Sequence, residues 1–352
     1  MLNINISLRI KVSKNVALDG IKSILAILIV LYHIYLNFFI NSEDFKYLRG
    51  CFLAVDAFFI LSGYLMAVSF EKRIIKGGSY STISRYAKDR FFRLFPEYSF
   101  VLMLSLALLP EVDWHILIPN LFLIANLNGI GSIVRDAWFI SSLFYVSVFL
   151  FGICRYVNSD LRRYFVGVLL IISYAILTTR FYNIGVHSGA FYGIFTGSVY
   201  RTVFGLCIGI LIYDLRFCFN KLPELLVYII EIVALVLCIK HLSRDYVSIV
   251  NANFAVFFSI IALLLIQKRG LLYRLVSAKI FIVLSQSSYM LFLSHLLVID
   301  IIARYFHCVL DIMPGYLSLL FILVVCVSIA VVLKFVSDRY WKFLNSFIKN
   351  GV

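Results

Sequence analysis

Charge is what this chain has least of. Only 14% of its 352 residues are Asp, Glu, Lys or Arg. By contrast 62% are hydrophobic, and the mean hydropathy is +0.98. A water-soluble domain is roughly 45–50% apolar, so the composition excludes one. Runs of about 20 apolar residues recur from Gly20 to Phe335 and predict an all-α, polytopic integral membrane protein. Also missing are linkers, internal repeats and low-complexity tracts, which leaves a single membrane-embedded domain over residues 1–352. The seven cysteines (Cys51, Cys154, Cys207, Cys218, Cys238, Cys308, Cys326) form no CxxC pair. A disulfide framework or cysteine-held metal is therefore not expected, and no metal is assigned. Arg9, Lys11 and Lys14 precede the first apolar run, but no small-x-small cleavage site follows before Tyr35. That run reads as an uncleaved first span.

Candidate spans are 19–40, 51–70, 94–110, 137–154, 164–180, 199–215, 223–240, 249–267, 280–303 and 315–335, with an eleventh, 114–128, that is short and holds Pro119, Asn120, Asn126 and Asn128. Charge decides its status. With ten spans, 24 of the 32 Lys and Arg fall on the cytoplasmic side; with eleven the two sides nearly balance. The positive-inside bias selects ten spans plus a re-entrant or interfacial helix at 114–128. Both termini are then cytoplasmic, as a head over 1–17 and a tail over 336–352. The net charge of +14 is explained by basic cytoplasmic loops, the largest being Glu71–Arg93, and nucleic acid is not expected as a partner. The outer segment 181–198 is rich in Gly, Phe and Tyr, which suits either stacking on sugar rings or anchoring at the interface.

Ionisable groups inside apolar spans are costly and point to function. In Leu18–His33, Lys22 stands near one end and His33 eleven residues on, roughly 16 Å along a helix. His33 suits a general base or acid, or alternatively a hydrogen bond to a neighbouring helix. Asp56, in Val55–Leu65, is at comparable depth in the second span and is expected to orient the His33 ring, or else to pair locally. Gly63 suits close helix packing; Ser62 lacks the flanking glycines of a hydrolase elbow. Arg90 and Arg93 share a helical face, and with Lys22 and Lys88 they make a cationic mouth suited to phosphate, or an anchor for lipid headgroups. Trp138 at a span end reads as part of an aromatic belt, and His295 as a second in-span imidazole, more simply a structural partner. Glu231 and Asp300 receive no role.

Five blocks in order resemble the acyltransferase 3 family, membrane proteins that O-acylate exported sugars. They are Leu18–Lys22 with Leu31-Tyr32-His33; Val55-Asp-Ala-Phe-Phe-Ile-Leu-Ser-Gly-Tyr-Leu65; Arg90-x-x-Arg93 with Pro96-x-Tyr98; Trp138-Phe-Ile; and Ser288-Tyr289 to His295. Lys22 stands where the family has arginine, which keeps the charge and loses the bidentate fork. Leu143 stands where many members have glutamate, and Ser294 where tryptophan is common.

The resemblance implies an O-acetyltransferase of the bacterial cytoplasmic membrane, with acetyl-coenzyme A as donor. The acceptor would be a hydroxyl of an envelope glycan, such as an O-antigen or capsule, or of its lipid-linked precursor. It implies that Lys22, Arg90 and Arg93 hold the coenzyme A phosphates and that His33, supported by Asp56, is the base or acyl relay. Ser62, Tyr64, Tyr98, Trp138, Arg201 and His295 are further candidates. No fused esterase-like domain follows in this sequence. A transporter of a sugar or polyprenyl-linked glycan is the alternative, though no paired broken helices in two halves support it. A regulatory or assembly subunit is a third. Membrane lipids are expected neighbours, and the oligomeric state is not given by the sequence.

Overall fold

The computed structural model describes residues 15–108, 114–125, 127, 131–182, 185–186, 191–243, 251–306 and 312–350. The head (1–17) therefore falls almost wholly outside the described residues, as does Cys308.

Each of the ten predicted spans is a helix. They are α1 (Val16–Ile34), α2 (Ala54–Lys76), α3 (Ile83–Leu108), α5 (Ala137–Tyr156), α6 (Ser159–Thr179), α7 (Gly197–Asp214), α8 (Glu224–Leu242), α9 (Ala252–Ile266), α11 (Lys279–Tyr305) and α12 (Gly315–Asn350). Eight helical segments among the described residues are long and apolar enough to cross a membrane; α7 and α9 are the two predicted spans outside that group. Two short helices complete the order: α4 (Leu117–Leu121) and α10 (Leu271–Val276). The predicted re-entrant or interfacial element is a 3₁₀ turn, Trp114–Ile116, running into the five-residue α4. At about 7.5 Å, α4 is far too short for a hydrocarbon layer of about 30 Å. Its polar residue has a purpose: Asn120, fully buried, accepts from Tyr98 Oη (3.2 Å) and Ile133 N (3.1 Å) and donates to the Ile116 carbonyl (2.7 Å). Tyr98 is therefore a fastener for this segment.

Two boundaries differ from expectation. The basic loop 71–93 is mostly helix, because α2 runs to Lys76 and α3 begins at Ile83. The tail 336–352 is not a separate segment, since α12 continues to Asn350. A two-residue hairpin, β1 (Phe191–Tyr192) against β2 (Phe195–Thr196), is the sole sheet among the described residues.

α1 begins where Asn15 accepts from the Ala17 amide, and it runs into a π-helical turn, Tyr35–Phe39, that starts two residues after His33. It packs most extensively on α11, and α2 on α7. Glycine permits the second contact. A Cβ on Gly63 would lie 2.2 Å from the Leu206 carbonyl oxygen, and one on Gly209 2.1 Å from that of Ile60. The Gly205–Gly209 pair on α7 is the small-xxx-small spacing that lets membrane helices approach. Ile171, Ile232 and Val332 on α6, α8 and α12 remain exposed, which suits an apolar surface facing lipid.

Candidate active site

The last turn of α1, the residue before α5 and the middle of α11 meet at one point. His33 Nε2 lies 3.4 Å from Asp136 Oδ2, and His295 Nε2 lies 3.3 Å from the same oxygen. The two imidazole centroids are 5.0 Å apart. His295 is fully buried, whereas His33 and Asp136 keep 19% and 12% of their side-chain surface, so the cluster opens to one side.

Asp136 is the residue that sequence reasoning missed. It is the N-cap of α5 yet makes no side-chain capping bond. An aspartate there normally accepts an amide of the first turn, a bond worth about 1 kcal/mol. Its carboxylate is turned to the imidazoles instead. Burial pushes this carboxyl up; the His33 and His295 rings and Arg135 outweigh that and hold it below the ordinary carboxylate value. The available signal was its position two residues before Trp138, at the same end of its helix as His33.

The tautomer of His295 follows from its other nitrogen. Nδ1 lies 2.8 Å from the Phe292 carbonyl and 3.1 Å from that of Leu291, both acceptors only. Nδ1 therefore carries hydrogen, and a neutral ring presents its lone pair at Nε2 toward the carboxylate. The contact to Asp136 is a hydrogen bond only when the ring holds a second proton.

Asp56 does not take the predicted place beside His33. Its two oxygens accept from Arg201 Nε (2.8 Å) and Nη2 (2.7 Å), and both side chains are almost fully buried. Arg201 also donates to the carbonyls of Phe52 and Gly185 (both 3.1 Å), and its guanidinium lies over the Phe52 and Trp138 rings at 5.7 and 5.5 Å. The reason is rotational. Asp56 is seven residues from Gly63, so it shares the face of α2 that glycine presses onto α7. Trp138 is correspondingly buried in the bundle at 7% exposure, not placed in an interfacial belt.

At the other end of α1, a cavity of about 470 Å³ is lined by Lys22, Ser62, Arg73, Arg90, Arg93 and Glu97, among others. Asp89 pairs with Arg73 (2.8 Å), Glu97 with Lys334 (2.9 Å) and Lys22 with Asp19 (3.2 Å). Arg90 and Arg93 make no ion pair among the described residues, and Arg90 Nε is buried without a hydrogen-bond partner. Phe58, Phe139 and Phe292 also line the cavity, and Phe292 is 6.0 Å from the His295 ring. The structure thus gathers Lys22, Ser62, Arg90 and Arg93 at one end and His33 and His295 at the other. Tyr64 is buried near Tyr213 (6.0 Å), apart from both groups.

No solved structure matches this chain. A relative, "Protein 2 in picA locus" from Rhizobium radiobacter, is 37% identical over 92 residues, which is 26% of this chain and 44% of that protein. The model of the acyltransferase domain matches residues 15–333, most of the length, and the chain belongs to that acyltransferase 3 family.

Proposed function

We infer that this acyltransferase carries an acetyl group from acetyl-coenzyme A to a hydroxyl of an envelope glycan or its lipid-linked precursor. The observation that carries the reading is the division of labour along α1. Arg90 and Arg93, which make no ion pair among the described residues, line a cavity at one end, and a two-imidazole, one-carboxylate cluster stands at the other. Guanidinium groups suit phosphates in bidentate fashion, so Arg90 and Arg93, with Lys22, hold the coenzyme A phosphates. The pantetheine arm reaches toward His33, roughly 16 Å away along the helix.

His33 Nε2 takes the acceptor hydroxyl proton as the oxygen attacks the thioester carbonyl. The carbon–sulfur bond breaks, and the imidazolium returns the proton to the departing thiolate. Asp136 stabilises the imidazolium, and His295 donates to Asp136 from the far side when Nε2 carries the ring's second proton. A positioned base contributes about 10²–10⁴-fold to rate. The test is mass spectrometry of envelope glycans from a strain lacking the chain, complemented with wild type or His33→Ala. Wild type should restore glycans heavier by one acetyl in place of hydrogen. His33→Ala should restore none at equal membrane abundance; full acetylation by that variant would end the reading.

A further inference from the structure

His33, Asp136 and His295 come from separate elements, yet their ligating atoms all lie within 4.8 Å of one another. We propose that they form a binding site for a divalent transition cation of the zinc class, and that the bound ion blocks acyl transfer by occupying the imidazole lone pairs. Two imidazoles and one carboxylate are a borderline-soft set that suits zinc or cobalt, whereas magnesium and calcium take oxygen ligands. The two separations from the carboxylate fit as well. Tetrahedral bonds of about 2.0–2.1 Å put neighbouring donor atoms about 3.4 Å apart, against 3.4 and 3.3 Å from Asp136 Oδ2 to the two Nε2 atoms.

The surroundings of His295 supply an independent observation. Its Nδ1–H is committed to backbone carbonyls, the arrangement that fixes the tautomer of metal-binding histidines and leaves Nε2 to coordinate. Nε2 and Asp136 Oδ2 then face each other, both buried, with lone pairs on both sides. Two facing lone pairs hold a cation between them. A proton satisfies the His295–Asp136 pair alone, while a metal ion draws on His33 too. The uncapped α5 shows that the Asp136 carboxylate is committed to this point. The residual exposure of His33 and Asp136 leaves a side from which an ion enters and a fourth ligand, water, completes the shell.

Binding stands on this geometry alone; the blocking effect rests on the acyl-transfer reading above. The full chain, purified in detergent and stripped with EDTA, is titrated with Co²⁺ and then Zn²⁺. The expected result is a tetrahedral Co²⁺ visible spectrum at one ion per chain, abolished by stoichiometric Zn²⁺. It should be lost in His295→Gln and Asp136→Asn and kept in His115→Gln, at an exposed position on the 3₁₀ turn before α4. No Co²⁺ spectrum in the wild type, or an unchanged one in His295→Gln, overturns the site. Because the wild-type spectrum needs no variant, misfolding of a variant does not obscure the answer. For the second half, Zn²⁺ should suppress acyl transfer and EDTA restore it. A Co²⁺ spectrum together with Zn²⁺-insensitive transfer overturns the blocking role, and an inactive transfer assay tells against the acetyl reading without touching the spectrum.

Discussion

Two buried aspartates, Asp56 and Asp136, sit near the ends of helices in the same bundle, and their surroundings are opposite. Asp56 is saturated. Both its oxygens are bound by one guanidinium whose remaining donors reach backbone carbonyls and whose faces rest near two rings. Asp136 is undersaturated, with one carboxylate oxygen serving two imidazoles and no side-chain bond to its own helix. A saturated pair holds elements together, while an undersaturated carboxylate between titratable rings is equipped for chemistry.

The sharpest way to break this comparison is to neutralise each acid in turn. Asp136→Asn should lower the acyl-transfer rate by about 10²–10⁴-fold with the amount of folded protein unchanged, as read by glycan acetylation against membrane abundance. Normal transfer by Asp136→Asn would reverse the roles. Asp56→Asn should act on stability instead, since removing one partner of a buried pair costs about 3–5 kcal/mol. Thermal unfolding in detergent should show that loss, and Asp56→Leu combined with Arg201→Met should recover most of it. A smaller effect is expected at the cavity. Arg90→Ala should raise the KM for acetyl-coenzyme A by about 10–100-fold, the worth of charge-assisted hydrogen bonds near 1.5–3 kcal/mol, with kcat little changed. The smallest is Lys22→Arg, which restores the fork; donor KM should fall by less than about tenfold.

The helical architecture was legible because apolar runs of span length report themselves, and charge bias correctly demoted 114–128. Depth was legible too, since rise per residue placed His33 and Asp56 toward the same end of the first two helices. Azimuth was not read. The glycine face of α2 carries Asp56 toward α7, and Arg201, Gly205 and Gly209 repeat every four residues on the facing helix. That spacing was present in the sequence and, taken together with Asp56, would have predicted the ion pair. Asp136 was overlooked for a different reason. An aspartate before a helix is ordinarily a cap, and only the three-dimensional packing shows that this one caps nothing. Glu231 is the converse. Left without a role in the sequence, it accepts the Leu271 and Leu272 amides at the start of α10 (2.6 and 3.0 Å) and so serves as a cap from a distant helix.

At 36 residues, α12 is about 54 Å long, well beyond a hydrocarbon layer of about 30 Å. Its lower portion acts as a brace for α3. Lys334 holds Glu97, and the Trp341 indole N–H donates to the carbonyl of Pro96 (3.0 Å), where proline has already interrupted the α3 ladder. Both ties fall after residue 333, where the match to the family ends. The helix that presents Arg90 and Arg93 is thus braced from the far portion of α12, and truncating the chain after residue 333 would slacken it.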